Sequence, residues 1–200
     1  MNNRKLIEIF LSTPKLSIKN SSYFEIYESV FNSYIGKPIT FMEIGVFNGG
    51  SLHMWKEYFG DAARIIGVDL NPIALELEKD GFEVYIGDQE SKDFWQELKR
   101  KVGNVDIILD DGGHKNGQQI ATLFNGVDLV KNGGIIAIED THTSYFRRFG
   151  NPSRFSFINY SKKIVDVMNS RFQFVRPKKS KFYNYVWSIN YFESIVIFNI

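Results

Sequence analysis

Two short acidic clusters follow apolar runs in this chain of 200 residues. Asp110-Asp111-Gly112-Gly113-His114 comes directly after Val105-Asp106-Ile107-Ile108-Leu109, and Glu139-Asp140 directly after Ile135-Ile136-Ala137-Ile138. Carboxylates and a neutral imidazole are groups that accept and pass on protons near pH 7. Short apolar runs bounded by charged residues and glycine suit strands buried on both faces, as in a parallel sheet, and such sheets gather ligands at the carboxyl ends of their strands. Four carboxylates and one histidine are therefore expected at one sheet edge.

The elements that must position them read as strand and helix in alternation. A leading helix is expected over 22–34, where Tyr23, Phe24, Ile26, Tyr27, Val30 and Phe31 recur at helical spacing ahead of Gly36 and Pro38. Strands are expected over 39–45, 64–70, 82–87, 105–110 and 134–139, with helices over 51–59, 72–80, 91–101 and 116–131 between them. That alternation predicts right-handed crossovers and a parallel α/β sheet. The last quarter reads as a helix near 153–170, a Lys-rich segment, and two strands over 185–191 and 194–199. Only Phe192 and Glu193 separate these strands, so they must form an antiparallel hairpin. One domain is expected over 1–200, with a helical segment over 1–37 leading into an α/β core over 38–200.

The first strand runs into Glu43-Ile44-Gly45-Val46-Phe47-Asn48-Gly49-Gly50-Ser51, a turn of small residues opening a helix, where backbone can approach a ligand closely. Gly45 and Gly50 match the first and third glycines of the dinucleotide fingerprint, but Phe47 stands at the second, the one that makes room for a pyrophosphate. A nucleoside ligand without phosphates fits better, and a dehydrogenase is disfavoured. Asp69, 24 residues after Gly45, ends the second strand where a carboxylate can accept from both ribose hydroxyls. Gly87-Asp88-Gln89 ends the third, and Asp88 is placed to accept from an adenine amine. Each acid also has a purely structural use: Asp69 before Asn71-Pro72 can shape a turn, and Asp88 can cap the helix after Ser91. What favours a site is that Glu43, Asp69, Asp88 and Asp110 fall at consecutive strand ends.

Composition narrows the partners. The 24 Lys and Arg against 23 Asp and Glu leave a formal charge of +1, which gives no electrostatic case for a nucleic-acid binder. Without cysteine there are no disulfides, thiolate metal ligands or cysteine nucleophile. The first residues, Met1 to Glu8, lack the apolar stretch of a signal peptide and no segment is long enough to span a bilayer, so a cytoplasmic protein is expected. From Tyr145 onward 15 of 56 residues are aromatic, which suits core packing, subunit contacts and sugar stacking alike. Arg171, Arg176, Lys178, Lys179 and Lys181 read as a solvated loop, or as a means of recognising an anionic acceptor. His53 falls on the first crossover helix and reads as packing.

The motifs Glu-Ile-Gly-Val-Phe-x-Gly-Gly-Ser (43–51), Gly-Val-Asp (67–69), Ile-Gly-Asp-Gln (86–89), Asp-Asp-Gly-x-His (110–114) and Ile-Glu-Asp-Thr-His-Thr-Ser-Tyr (138–145) resemble those of the macrocin and mycinamicin sugar O-methyltransferases. These are class I S-adenosylmethionine-dependent enzymes. The resemblance covers about residues 40–146 and the terminal hairpin. It implies a Rossmann-like, doubly wound seven-stranded sheet of order 3-2-1-4-5-7-6 with strand seven antiparallel, and an oligomer. It also implies that Asp111, Glu139 and Asp140 bind Mg2+ and that His114 is the general base. Glu43, Gly45, Gly49, Ser51, Asp69, Asp88, Gln89 and Asp110 then form the cofactor site; His142 and Tyr145, on the loop after the second cluster, read as acceptor contacts or as loop packing. The chain departs from the family at Gly113, where Ser is usual, and about 38 residues precede its first expected strand, whereas the macrolide enzymes carry an additional N-terminal region.

The chemistry is coherent with these residues. A protonated sugar hydroxyl is a poor nucleophile, and a divalent ion at its oxygen stabilises developing negative charge. Hard carboxylate oxygens suit Mg2+, which keeps positions for water or substrate. Neighbouring strand ends lie about 4.8 Å apart, so the two acidic clusters can converge. The expected function is S-adenosylmethionine-dependent, Mg2+-assisted O-methylation of a saccharide or sugar-containing metabolite. The alternatives are a metal-independent small-molecule methyltransferase and a non-catalytic S-adenosylmethionine-binding domain.

Overall fold

The computed structural model describes residues 4–150 and 154–200. Its seven strands form one mixed sheet in the order β3-β2-β1-β4-β5-β7-β6, where β1 is Thr40–Ile44, β2 Arg64–Asp69, β3 Glu83–Ile86, β4 Val105–Asp110, β5 Val130–Ile138, β6 Ser188–Phe192 and β7 Ile195–Asn199. This is the expected order, with β7 antiparallel to β5. The chain divides into two compact units, Met1–Asp88 and Gln89–Ile200.

In the first unit β1 pairs in parallel with β2, and β2 with β3. Helix α1 (Leu6–Leu11) has no counterpart in the sequence reading, because its six residues bury only Leu6 and Ile9 and are too few to show a helical period. Helix α2 (Tyr23–Phe31) presents the expected aromatic face. Tyr27 stacks on Phe31 at 5.7 Å and meets Trp55 of α3 (Gly50–Phe59) edge-on at 5.2 Å. Phe41 of β1 and Phe59 of α3 complete a fully buried aromatic cluster. Such ring pairs contribute about 0.5–1.5 kcal/mol each beyond burial, which anchors α3 and the turn preceding it. The expected helix over 72–80 is a 3-10 helix, Pro72–Asp80. Asn71 caps it by accepting the Ile73 N–H at 3.1 Å, and Gly81 closes it at φ 88°.

In the second unit β4 and β5 pair in parallel, and β6 and β7 form the predicted hairpin. Its turn is Glu193–Ser194, one position later than expected, and Phe192 stays in β6 opposite Ile195. Tyr185, Val186 and Trp187 precede the strand, behind a 3-10 turn over Lys181–Asn184. Helix α4 (Lys92–Val102) starts on Ser91, whose hydroxyl accepts the Phe94 N–H at 3.3 Å. Helix α5 (Asn116–Gly126) stops five residues short of the expected end at 131. A Cβ on Gly126 would sit 3.2 Å from both Ile108 and Ile136, and the carbonyl of Leu129 already accepts the Val105 N–H at 3.0 Å. The sheet therefore claims this segment, and β5 begins at Val130 with an irregular stretch before Ile135. Helix α6 (Phe157–Asn169) falls within the expected 153–170; position 153 lies outside the described residues, as does the Met1–Asn3 part of the N-terminal reading. Among the described residues no helix is long and apolar enough to cross a membrane.

Candidate metal centre and cofactor turn

The glycine turn in the first unit is held by the acid that ends β2. Asp69 Oδ2 accepts the Val46 and Phe47 N–H groups at 3.0 and 3.3 Å, and its Oδ1 accepts that of Asn71 at 2.8 Å. A carboxylate offers about four lone-pair sites, so three are taken by backbone and Asp69 is first a clamp between two strand ends. Phe47 adopts φ 47° and Gly45 and Gly49 φ 84°, with the Phe47 ring exposed. Gly50 packs so closely on the backbone of Lys15 and Leu16 that a Cβ would collide with the Lys15 carbonyl, so the segment after α1 lies over the start of α3.

Glu43 is fully buried. Its carboxylate accepts from Lys19 Nζ at 3.0 Å, Ser51 Oγ at 2.6 Å and Trp55 Nε1 at 3.4 Å, and Lys19 is as deeply buried as its partner. A buried carboxylate needs such neutralisation to stay charged. Neither Lys19 nor Ser51 as its partner announces itself in the sequence, since Lys19 lies in a segment with no periodicity. Asp88 is exposed one position beyond Gly87. His53 packs edge-on against Phe82 at 4.8 Å with Nε2 3.5 Å from Asp80, a structural setting as read from the sequence.

In the second unit the two acidic pairs divide alike. Asp110 and Glu139 are buried, 1% exposed each, whereas Asp111 and Asp140 are partly open. The first member of each pair is buried at the strand end, and the second lies where the chain has left the strand, Asp140 in left-handed backbone at φ 52°. Asp111, His114 and Asp140 then each present one donor atom within 4.8 Å of the others. His114 Nε2 lies 3.5 Å from Asp140 Oδ2 and 4.0 Å from Asp111 Oδ1. Glu139, expected with the carboxylates, is not in this group; its carbonyl accepts the buried Gln119 amide at 2.9 Å. His114, expected beside the carboxylates, stands next to Asp111 and Asp140.

Thr143, which sequence reasoning passed over, ties this arrangement together. Its hydroxyl lies 2.7 Å from the carbonyl oxygen of Asp140 and 2.8 Å from that of His114, and one proton is shared between them. Its signal was local, a Thr three residues after an acid in a turn. His142 is half-exposed, with Nδ1 2.5 Å from Ser194 Oγ and 3.9 Å from Asp140 Oδ1, and Tyr145 is exposed.

Asp110 faces the interior. Burial pushes its carboxyl above the usual carboxylate range, against hydrogen bonds from Thr122, the Gly112 N–H and Gln89 that favour the charged form. The two carboxylate oxygens, partly open to solvent, are chemically suited to a divalent cation such as Mg2+ or Mn2+ that keeps further positions for water or substrate, with the His114 imidazole beside them.

No protein-family model matches the chain. Over 132 residues it is 33% identical to the 8-demethyl-8-(2-methoxy-alpha-L-rhamnosyl)-tetracenomycin-C 3'-O-methyltransferase of Streptomyces olivaceus, covering 62% of this chain and 33% of that one. It is 33% identical over 135 residues to the demethylmacrocin O-methyltransferase of Streptomyces fradiae, covering 64% and 33%. Against the mycinamicin VI 2''-O-methyltransferase of Micromonospora griseorubida it is 31% identical over 131 residues, covering 62% and 32%. The chain thus spans about a third of the length of these relatives. Among solved structures, the MycE methyltransferase of the mycinamycin pathway in complex with Mg and SAH superposes with a TM-score of 0.85 at 23% identity, covering 98% of this chain and 54% of that one. The chain therefore has the class I methyltransferase fold and resembles, in sequence, the macrocin, mycinamicin and tetracenomycin sugar O-methyltransferases.

Proposed function

We propose that this chain is an S-adenosylmethionine-dependent O-methyltransferase, assisted by Mg2+, that acts on a hydroxyl of a saccharide or sugar-containing metabolite, with both units serving one methyltransferase domain. The observation that carries the reading is the convergence of Asp111, His114 and Asp140 just beyond the ends of β4 and β5, in a chain whose relatives are sugar O-methyltransferases. A related MycE structure holds Mg, SAH and mycinamycin VI together.

In this reading Asp111 and Asp140 hold the cation, which when bound would lower the cost of negative charge on the acceptor oxygen. His114 Nε2, facing both carboxylates, is placed to take the hydroxyl proton. The acceptor oxygen gains the methyl group as the carbon–sulfur bond breaks, leaving an ether and S-adenosylhomocysteine. Glu139 backs the end of β5 from the interior. The glycine turn over 45–50, with Glu43, Ser51 and Asp69 behind it, together with Asp88, receives the cofactor, and His142 and Tyr145 border the acceptor. A small saccharide-type molecule is the partner, and the protein works as an oligomer in the cytoplasm.

The test is S-adenosylhomocysteine formation across a panel of sugar nucleotides, rhamnosides and polysaccharide precursors, with and without excess chelator. Product that requires both an acceptor and Mg2+ is expected. Full turnover in chelator would refute the metal role, and cofactor binding without turnover on any acceptor would favour a non-catalytic binding domain.

A further inference from the structure

Gln89, the first residue of the second unit, carries more hydrogen bonds than a cofactor contact would need. Its side chain is 7% exposed. Nε2 lies 3.2 and 3.1 Å from the two carboxylate oxygens of Asp110 and 3.1 Å from Thr122 Oγ1. On the opposite side Oε1 accepts the Gly113 N–H at 3.2 Å, and the Gln89 carbonyl accepts the Trp95 indole N–H at 2.8 Å. Asp110 Oδ1 in turn accepts the Gly112 N–H at 3.0 Å. The two amides between Asp111 and His114 are therefore both held from beneath, one by Asp110 and one by Gln89. The turn rests directly on this amide, since a Cβ on Gly112 would collide with Gln89 Oε1.

Only a neutral amide satisfies both ends. The side facing Asp110 must donate and the side facing Gly113 must accept. A carboxylate at this position would set two acidic groups together, and an apolar side chain would leave Asp110 and the Gly113 N–H without these partners. We infer that Gln89 is a positioning residue for the Asp111–His114 turn, and that its side chain does not contact the cofactor. The inference rests on the proposed function in one respect, that this turn presents a cation-binding group. Outer groups that orient ligands typically shift metal affinity 10–100-fold when removed.

The test compares the full chain with Gln89→Leu and Gln89→Glu, and with Thr122→Val as a milder variant should the first two fail to fold. Three quantities are read: amide hydrogen exchange at Gly112 and Gly113 in metal-free protein, Mn2+ affinity by electron paramagnetic resonance, and S-adenosylhomocysteine affinity by calorimetry. Exchange at Gly113 at least about 10-fold faster is expected, with core amides such as that of Ile136 unchanged, Mn2+ binding about 10–100-fold weaker and S-adenosylhomocysteine affinity within about twofold of the unmodified chain. Unchanged glycine exchange, or a selective loss of S-adenosylhomocysteine binding, would overturn the bracing role. If the unmodified chain bound no Mn2+, the proposed function would fail, and glycine exchange would still decide the role of Gln89.

Discussion

His114 Nε2 and Asp140 Oδ2 stand 3.5 Å apart, and both residues hold left-handed backbone, φ 57° and 52°. A non-glycine residue in that region costs of order 1 kcal/mol or more, and persists where surrounding structure over-determines it. Here the Thr143 hydroxyl joins the two carbonyls, and the two side chains face one another. Asn tolerates the left-handed region well, so Asp140→Asn isolates charge from backbone. We expect it to weaken Mn2+ binding at least about 10-fold while S-adenosylhomocysteine affinity stays the same; Mn2+ binding equal to that of the unmodified chain would remove Asp140 from the donor set.

Thr143→Val keeps the shape of the side chain and deletes the hydroxyl. Two carbonyls then lose a buried donor, a cost of about 1–3 kcal/mol, readable as a lower urea midpoint. Mn2+ affinity should fall with it, and Thr143→Ser should recover both. Recovery of stability without recovery of Mn2+ affinity would separate Thr143 from the donor cluster.

Lys19→Met should be among the most damaging single changes in the first unit, because it leaves the carboxylate of Glu43 buried beside Ser51 and Trp55 without the ammonium. Breaking one side of a buried pair costs about 3–5 kcal/mol. Adding Glu43→Gln to that background should restore part of the loss in chemical denaturation. A double variant no more stable than Lys19→Met would mean that the pair is not what the segment after α1 contributes.

Tyr58 provides a pH readout. Burial, and secondarily Glu28, push its phenol up to about 12, and among the described residues its hydroxyl has no hydrogen-bond partner. A raised folded pKa favours the fold while the phenol is protonated in both states, below about 10, the unfolded value. That contribution is lost as pH rises toward 12. Tyr58→Phe should therefore leave stability at pH 7 equal or slightly higher and make the decline between roughly pH 10 and 12 shallower. An identical alkaline decline would assign it to other tyrosines.

The amino-acid order by itself determined the strands and their sequence. Continuous apolar runs such as Ile107-Ile108-Leu109 and Ile135-Ile136-Ala137 have nowhere to go but a doubly covered sheet, and a two-residue link, expected at 192–193 and found at 193–194, leaves the last strands no geometry but a hairpin. It also placed an acidic pair at the end of each of β4 and β5. What it did not determine is which acid of each pair faces the cluster, because that depends on where each strand ends and how the chain turns beyond it, which only pairing and burial set. Tertiary structure decided that Asp110 and Glu139 go inward while Asp111 and Asp140 converge with His114. It likewise brought Lys19 to Glu43 and Gln89 to Gly113, partnerships across 24 residues each. Contacts at that separation leave no period in the sequence. They exist only once the sheet has fixed where each segment passes.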